Sequence, residues 1–195
     1  MTTIGIGGFG KAKLTTYKGK QAVVKYININ SDPSATLATC TINRIGAFDE
    51  GFIMVNLRNN RYIADMYGLE GHAIYMKYYP LGSLRSQIDQ GNVSGDKYHI
   101  AYHIIKGVSA LHSFGYIHSD LKASNILCEQ VYDWGKNRNR IRAVVSDFGA
   151  SKKEGTYADA FAPGFCPPEI KTKPLSPATD VYSLGKLIFR TIYGN

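Results

Sequence analysis

The spacing of apolar residues changes near Pro80, and no other feature of the sequence constrains the fold as strongly. Before Pro80, short runs rich in Val, Ile and Tyr alternate with glycine-containing turns, which predicts antiparallel strands. After it, residues 97–113 carry apolar side chains at the spacing of an amphipathic helix. We therefore predict a β-rich lobe over residues 1–78 and a helix-rich lobe over residues 79–195, with the boundary between residues 77 and 82.

The first lobe contains a hairpin signal and one helical segment. The runs Lys13–Tyr17 and Gln21–Ile27 flank a Lys-Gly-Lys turn, which predicts two paired strands. From about Ile45 to Leu57 the apolar spacing becomes helical. Further strands are predicted at Tyr62–Ala64 and His72–Met76.

The second lobe is predicted to contain short strands between helices. A short helix is expected at Ser83–Ile88, before the long helix at residues 97–113. Short strands are expected at Ile126–Cys128 and Ile141–Val145, and a last helix from about Asp180 to Tyr193.

Composition excludes several classes of protein. A chain of 195 residues with 44% hydrophobic content can bury a core, which excludes wholesale disorder. No apolar run approaches the roughly 18 residues of a membrane span, and the N-terminus lacks the pattern of a secretory signal. The three cysteines, Cys40, Cys128 and Cys166, form no CxxC pair and suit a reducing compartment. We expect an intracellular protein of the cytoplasm or nucleus, inside a host cell if it is viral.

The net charge of +8 favours acidic partners. Part of the excess lies in one run, which contains Lys136, Arg138, Arg140 and Arg142. We predict that this run is a solvated loop. Nucleic-acid binding requires a continuous basic face with stacking aromatic residues, so an RNA-binding function is the weakest of the alternatives.

Glycines near the N-terminus fit a phosphate-binding loop. Gly5, Gly7 and Gly10 match the pattern GxGxxG, in which backbone amides approach phosphate oxygens without obstruction by side chains. A dinucleotide-binding fold requires a helix directly after this loop. The strand-like run Lys13–Tyr17 stands there instead, which argues against that fold.

Four further motifs follow the glycines in a fixed order. They are Ala-Val-Val-Lys25, Tyr116-Ile-His-Ser-Asp-Leu-Lys-Ala-Ser-Asn125, Ser-Asp147-Phe-Gly and Pro-Pro-Glu169. With these parts in this order the sequence resembles the eukaryotic protein kinases, from Gly5 to about Tyr193. The resemblance implies an α+β, two-lobed kinase fold: a β-rich N-lobe with one long helix, and a helical C-lobe truncated after the Asp180 helix.

The resemblance also implies an activity, the transfer of the γ-phosphoryl group of ATP to Ser or Thr hydroxyls of protein substrates. Asp120 is then the residue that accepts the proton of the substrate hydroxyl, and Lys122 neutralises charge on the transferred group. Lys25 holds the α- and β-phosphates, with Glu50 as its helix partner. A solvated carboxylate at the start of a helix, beside Asp49, is the alternative for Glu50.

Magnesium ligands are implied at Asn125 and Asp147, because Mg²⁺ prefers carboxylate and amide oxygens. Taken singly, Asp120, Asn125 and Asp147 would each be read as turn-forming residues. Their joint spacing favours the catalytic interpretation. Asp180 resembles the aspartate that braces the catalytic loop, a structural role.

The resemblance assigns the nucleotide site to Gly5, Ile6, Gly7, Gly8, Phe9, Gly10, Ala12, Val23, Lys25, Met76, Lys77, Tyr79 and Leu127. Met76 is the implied gatekeeper, and Lys77 and Tyr79 offer main-chain groups to adenine. The family usually has Val and Ala where this chain has Ala12 and Val23. This exchange conserves volume, which favours an adenine pocket that is still packed.

Two positions depart from the family pattern. Ser119 replaces the catalytic-loop arginine that pairs with a phosphate on the activation segment. Phosphorylation at Ser151, Thr156 or Tyr157 has therefore lost its main receptor. Ala162 stands where Ser/Thr-specific members commonly have threonine, whereas Lys122 favours Ser/Thr specificity.

Two hypotheses about function remain open at this point. One is an active Ser/Thr kinase, which the complete catalytic set favours. The other is a non-catalytic, kinase-like decoy that binds and inhibits a kinase or its substrate, which the short C-lobe favours. The last helix, with Val181, Leu187 and Phe189, is apolar over more than one stripe. We therefore expect a homodimer or a complex with another kinase.

Overall fold

The computed structural model describes residues 3–7, 10–26, 49–71 and 73–194. It begins with an antiparallel sheet of five strands, in the spatial order β1-β2-β3-β5-β4. The strands are β1 (Thr3–Gly7), β2 (Gly10–Tyr17), β3 (Lys20–Tyr26), β4 (Met66–Glu70) and β5 (Ala73–Lys77). Between β3 and β4 the chain forms helix α1 over residues 49–57.

The predicted hairpin of the first lobe is confirmed. Tyr17 pairs with Lys20, so only Lys18 and Gly19 form the turn between β2 and β3. Both have positive φ angles, +48° and +78°, which is the conformation of a type I′ turn. Its twist matches that of the strands that it joins, and Gly19 adopts the conformation without steric cost. The predicted end of the second strand, Ile27, lies outside the described residues.

The described remainder of the chain contains three α-helices. Its helices are α2 (Leu84–Asp89), α3 (Lys97–Ser113) and α4 (Pro177–Tyr193). Two small sheets accompany them, formed by β6 (Tyr116–Ile117) with β9 (Lys152–Lys153) and by β7 (Ile126–Asp133) with β8 (Arg138–Val145). No helix in this or the other described segments is long and apolar enough to cross a membrane. The division into lobes at residues 78 and 79 stays a prediction.

Helix α4 begins three residues before the predicted start at Asp180. Pro177 occupies the first helical turn, where its missing N–H leaves no hydrogen bond unmade. The N–H of Ser176 donates to Oγ1 of Thr179 at 3.2 Å, which satisfies a backbone group at the helix start. The cap at Ser176 therefore sets the start of α4. The apolar spacing, from which the start at Asp180 was predicted, begins later in the helix.

The predicted strand at Tyr62–Ala64 is wrong. Only Ile63 forms a bridge, and its partner is Val145 at the end of β8, outside the five-stranded sheet. A hydrogen bond holds the segment against β8, because the N–H of Val145 donates to the Tyr62 carbonyl at 2.9 Å. The strand of this region is β4, which starts at Met66. The predicted helix from Ile45 to Leu57 is confirmed over residues 49–57, and its residues 45–48 lie outside the described part. His72, the predicted first residue of the next strand, also lies outside it.

The predicted solvated loop over the basic run is confirmed for Lys136, which lies in the exposed turn between β7 and β8, but it is wrong for the three arginines. Arg138 begins β8, which pairs with β7 along its whole length. Arg138, Arg140 and Arg142 alternate along the strand and so share one face. On that face Asp96 accepts hydrogen bonds from Arg138 at 2.9 Å and from Arg140 at 3.0 Å. The carboxylate that organises the run lies more than 40 residues away in sequence, beyond the reach of a local pattern.

His103, on the inner face of α3, is a residue from which we expect the stability of the fold to depend on pH. The ring is buried, and its Nδ1 atom accepts the N–H of Ala143 in β8 at 3.2 Å. Burial, together with the nearby His99 and Arg61, lowers the pKa of His103 from 6.5 to about 4. The folded state therefore favours the neutral ring, whereas the unfolded chain binds a proton below about pH 6.5.

We expect the free energy of unfolding to fall as the pH drops from about 6.5 to about 4. The part due to His103 is roughly 2–3 kcal/mol at about pH 4.5, because each pKa unit corresponds to about 1.4 kcal/mol. In His103→Gln the amide oxygen can still accept the Ala143 N–H, but this acid-dependent part is absent. Urea unfolding of both proteins at pH 7 and pH 4.5 measures the difference, and parallel losses of stability would contradict the assignment to His103.

Candidate active site

Lys25 of β3 and Glu50 of α1 form a buried ion pair. The Lys25 Nζ atom lies 2.7 and 2.9 Å from the two carboxylate oxygens of Glu50. The same Nζ atom lies 2.6 Å from Oδ1 of Asp147, which follows β8. Glu50 is only 2% exposed, so the alternative of a solvated carboxylate is wrong. The sheet, the helix and the segment after β8 meet at this one ammonium group.

The charges of this cluster are set by competition between burial and pairing. Burial acts to lower the pKa of Lys25, but Glu50 and Asp147 outweigh it and raise the pKa above its ordinary value. Burial acts to raise the pKa of Asp147, but the Lys25 ammonium lowers it overall. Burial raises the pKa of Glu50 despite the Lys25 charge. At neutral pH the cluster therefore contains a firmly protonated lysine and an ionised Asp147.

Asp120 lies in the loop after β6, with one of its carboxylate oxygens held by hydrogen bonds. Oδ2 accepts from Lys122 Nζ at 2.7 Å and from Asn125 Nδ2 at 3.0 Å. The same amide nitrogen of Asn125 donates to the Asp120 carbonyl at 2.9 Å. The other oxygen, Oδ1, is buried and has no hydrogen-bond partner among the described residues. An unpaired buried acceptor is costly, and here it leaves a carboxylate oxygen ready to accept a donor from a ligand.

Asp180 of α4 braces this loop, as the resemblance implies. Its fully buried carboxylate accepts the N–H groups of His118 at 2.8 Å and of Ser119 at 2.9 Å. The same carboxylate lies 2.8 Å from Nε2 of His112 at the end of α3. Two helices and the loop are thus joined through one side chain, which fixes the backbone immediately before Asp120.

Asn125 and Asp147 lie at the same end of the β7–β8 pair. Ile126 is paired with Val145, so Asn125 precedes and Asp147 follows the last pair of the ladder. Both the N–H and the hydroxyl of Ser146 donate to the Asn125 carbonyl at 2.9 Å. This arrangement ties the two proposed magnesium ligands to each other through one intervening residue.

The donor atoms at this place suit magnesium. Asn125 uses its Nδ2 atom on Asp120, so the amide oxygen is the atom left for a ligand. Asp147 uses Oδ1 on Lys25, and its second oxygen has no hydrogen bond within the described part of the chain. Mg²⁺ prefers such oxygen ligands and completes its shell with phosphate oxygens and water. In the described segments no group of three or more His, Cys, Asp or Glu could hold a metal alone.

Apolar residues of the implied adenine pocket lie on adjoining strands. Val23 of β3 is opposite Met76 of β5, and Ala12 of β2 is opposite Lys25. Val23 is buried, while Met76 and Leu127 are partly buried against the core. Gly5, Ile6, Gly7 and Gly10 belong to the paired strands β1 and β2, whereas Gly8 and Phe9 lie outside the described residues.

The hinge, the segment Lys77–Tyr79 that is implied to contact adenine, makes contacts that the sequence did not reveal. The N–H of Lys77 donates to the Asp65 carbonyl at 2.9 Å, so any main-chain contact of Lys77 with adenine would use its carbonyl oxygen. Its Nζ atom lies 2.7 Å from Glu129 of β7. The hydroxyl of Tyr79 accepts the N–H of Asp65 at 2.9 Å, and burial raises the pKa of Tyr79. Lys77 and Tyr79 thus tie the hinge to its surroundings through their side chains.

The chain belongs to the protein kinase family, because the family model of the protein kinase domain matches residues 1–195. This match confirms the resemblance that the ordered motifs indicated, and with it the α+β kinase fold. The sheet that presents Lys25, the loop that presents Asp120 and the segment that presents Asp147 are the parts of that fold described above.

Several curated proteins are similar to this chain. The serine/threonine-protein kinase SSK22 of Saccharomyces cerevisiae is 28% identical over 98% of the chain and 16% of its own length. The probable serine/threonine-protein kinase PBL25 of Arabidopsis thaliana is 29% identical over 98% of the chain and 51% of its own length. The sensor for unfolded proteins in the ER ire1 of Schizosaccharomyces pombe is 32% identical over 49% of the chain. The chain spans at most about half the length of these relatives.

Proposed function

We propose that this protein transfers the γ-phosphoryl group of ATP to Ser or Thr hydroxyls of protein substrates. The observation that supports this most directly is the unpartnered Oδ1 atom of Asp120, beside a lysine and an asparagine that hold Oδ2. A substrate hydroxyl that donates to Oδ1 is oriented for attack, and the carboxylate can take its proton. Lys122, 2.7 Å from Asp120, is in place to offset negative charge on the transferred group.

The remaining residues are assigned to the nucleotide. Lys25 is held by Glu50 and is the cation for the α- and β-phosphates. Asn125 and Asp147 would hold Mg²⁺, which when bound neutralises phosphate charge. Similarity to SSK22 and PBL25, which are named as a serine/threonine-protein kinase and a probable one, supports Ser/Thr specificity. An intracellular location is part of this proposal.

The decoy remains the second candidate function, and one observation favours it. On α4, Phe189 is 64% and Tyr193 72% exposed, while Leu187 is fully buried. Exposed aromatic residues of this size suit a binding surface. The homodimer or kinase complex expected from the sequence stays a prediction. A decoy has no need to transfer phosphate, so a measurement of phosphoryl transfer discriminates between the two candidates.

The nucleotide site is tested by thermal unfolding with Mg²⁺ and ATP. At a ligand concentration about 100 times the dissociation constant we expect about 2.7 kcal/mol of stabilisation, or a rise in Tm of roughly 5–10 °C. In Asp147→Asn the shift should be lost, because that variant removes the ionised ligand beside Lys25. Asp89→Asn is the control, because Asp89 is an exposed residue at the end of α2 that pairs with exposed Arg85, and this variant should behave like the parent. A parent with no shift at millimolar ATP would contradict the proposal.

A further inference from the structure

Ser119 connects the catalytic loop to the segment that carries Asp147. Its hydroxyl donates to the Ala150 carbonyl at 2.7 Å, and its N–H donates to Asp180. A weaker contact runs in the opposite direction, from the Ser151 hydroxyl to the His118 carbonyl at 3.5 Å. Two contacts therefore join residues 118–119 to residues 150–151.

The segment held in this way is the one that follows Asp147. Phe148–Ala150 form a 3₁₀ turn, closed by the N–H of Ser151 on the Phe148 carbonyl at 2.9 Å. The Phe148 ring is fully buried, 5.5 Å from the ring of His118. Since Ala150 lies three residues after Asp147, a contact at Ala150 restricts the path of the chain that positions Asp147.

The backbone of Ser119 is in a left-handed conformation, held by its N–H on Asp180 and by its hydroxyl on Ala150. Its φ angle is +60°, a left-handed value that residues with a Cβ atom seldom adopt, and glycine would adopt it at no steric cost. The residue is 2% exposed, so solvent does not satisfy its hydroxyl. The hydrogen bond to Ala150 is what the serine adds over a glycine at this position.

We propose that Ser119 is a positioning residue, whose hydroxyl holds the segment of Asp147 in place relative to Asp120. This inference rests on the proposed function and assigns a further positioning residue to the same site. Ser119 does not touch the reacting groups and acts through the Ala150 carbonyl, 2.7 Å from its hydroxyl.

Two variants separate the hydroxyl from the backbone conformation. Ser119→Ala and Ser119→Gly both remove the hydrogen bond, but glycine also relieves the left-handed conformation. The matched control is Ser183→Ala, which removes a buried serine hydroxyl that donates to the Thr179 carbonyl within α4.

Amide hydrogen exchange tests the hydrogen bond between Ser119 and Ala150 even if the protein has no kinase activity. In both Ser119 variants we expect the amides of residues 148–151 to exchange roughly 3- to 10-fold faster, the effect of one lost buried hydrogen bond. Amides of α3 should be unchanged, which a general loss of stability would not allow. Unchanged exchange at residues 148–151 in Ser119→Gly would overturn the proposal, even if the parent proves to be inactive.

Kinetics test the consequence for the reaction. For both Ser119 variants we expect kcat to fall roughly tenfold with the KM for ATP within about twofold, because small misplacements of reacting groups are costly. The control Ser183→Ala should leave kcat within about threefold of the parent. A kcat of both Ser119 variants within that same range would overturn the proposal. Failure of the parent itself to transfer phosphate would count against the proposed function instead.

Discussion

Asp120→Asn should reduce the rate of phosphoryl transfer by at least about a hundredfold, the lower end of what a general base contributes. The amide oxygen of the new side chain can still accept from Lys122 and Asn125, as Oδ2 of Asp120 does. Its NH₂ group then replaces the unpartnered Oδ1 atom, and this group cannot take a proton. The local packing is preserved while the acceptor is lost.

Nucleotide binding should survive this change, because Asp120 acts on the hydroxyl and not on ATP. The rise in Tm with Mg²⁺ and ATP should therefore equal that of the parent, and Asp89→Asn should keep both properties. Loss of transfer and of binding together would indicate a folding defect. Transfer within about threefold of the parent rate would exclude Asp120 as the proton acceptor.

Gly107→Ala should destabilise the fold by roughly 2–3 kcal/mol, although alanine normally favours a helix. At Gly107, helix α3 packs closely against Val145 of β8 and against Tyr62. An added Cβ atom would lie 2.6 Å from Val145 Cγ2 and 2.7 Å from the Tyr62 carbonyl oxygen. That carbonyl accepts the N–H of Val145 at 2.9 Å and cannot move without breaking the bond. The helix would have to shift away from β8, where much of the core lies.

Gly185→Ala is the matched control, because Gly185 also lies inside a helix. Nothing lies within 4 Å of a Cβ atom built there, so alanine should stabilise the protein by roughly 0.5–1 kcal/mol. We therefore expect urea unfolding to show changes of opposite sign in the free energy of unfolding for the two Gly→Ala variants. Stabilisation by Gly107→Ala would contradict the close packing of α3 against Val145 and Tyr62.

The residues of the candidate site could be named from the sequence because their motifs occur in the order that is typical of protein kinases. The structure brings Lys25 of β3 within 2.6 Å of Asp147, although 122 residues separate them. The order of the motifs predicted this meeting through the family fold. Glu50 was less certain from sequence, since a helix boundary alone does not show which carboxylate is buried.

The contacts around the site could not be predicted, because their partners follow no local pattern. The local pattern predicts a solvated loop at Arg138 and Arg140, but both lie in β8 and donate to Asp96, more than 40 residues away in sequence. Similarly, the sequence showed that Ser119 is not an arginine, but not that its hydroxyl binds Ala150. Such pairs become visible only when packing brings distant residues together.

The central claim is tested most directly by incubating the purified parent chain with γ-labelled ATP, Mg²⁺ and a basic protein substrate. The account predicts label in the substrate, recovered as phosphoserine or phosphothreonine, and no label when Asp120→Asn replaces the parent. If the parent binds ATP, as shown by its rise in Tm, but no label enters the substrate, catalysis is contradicted and the decoy hypothesis is favoured.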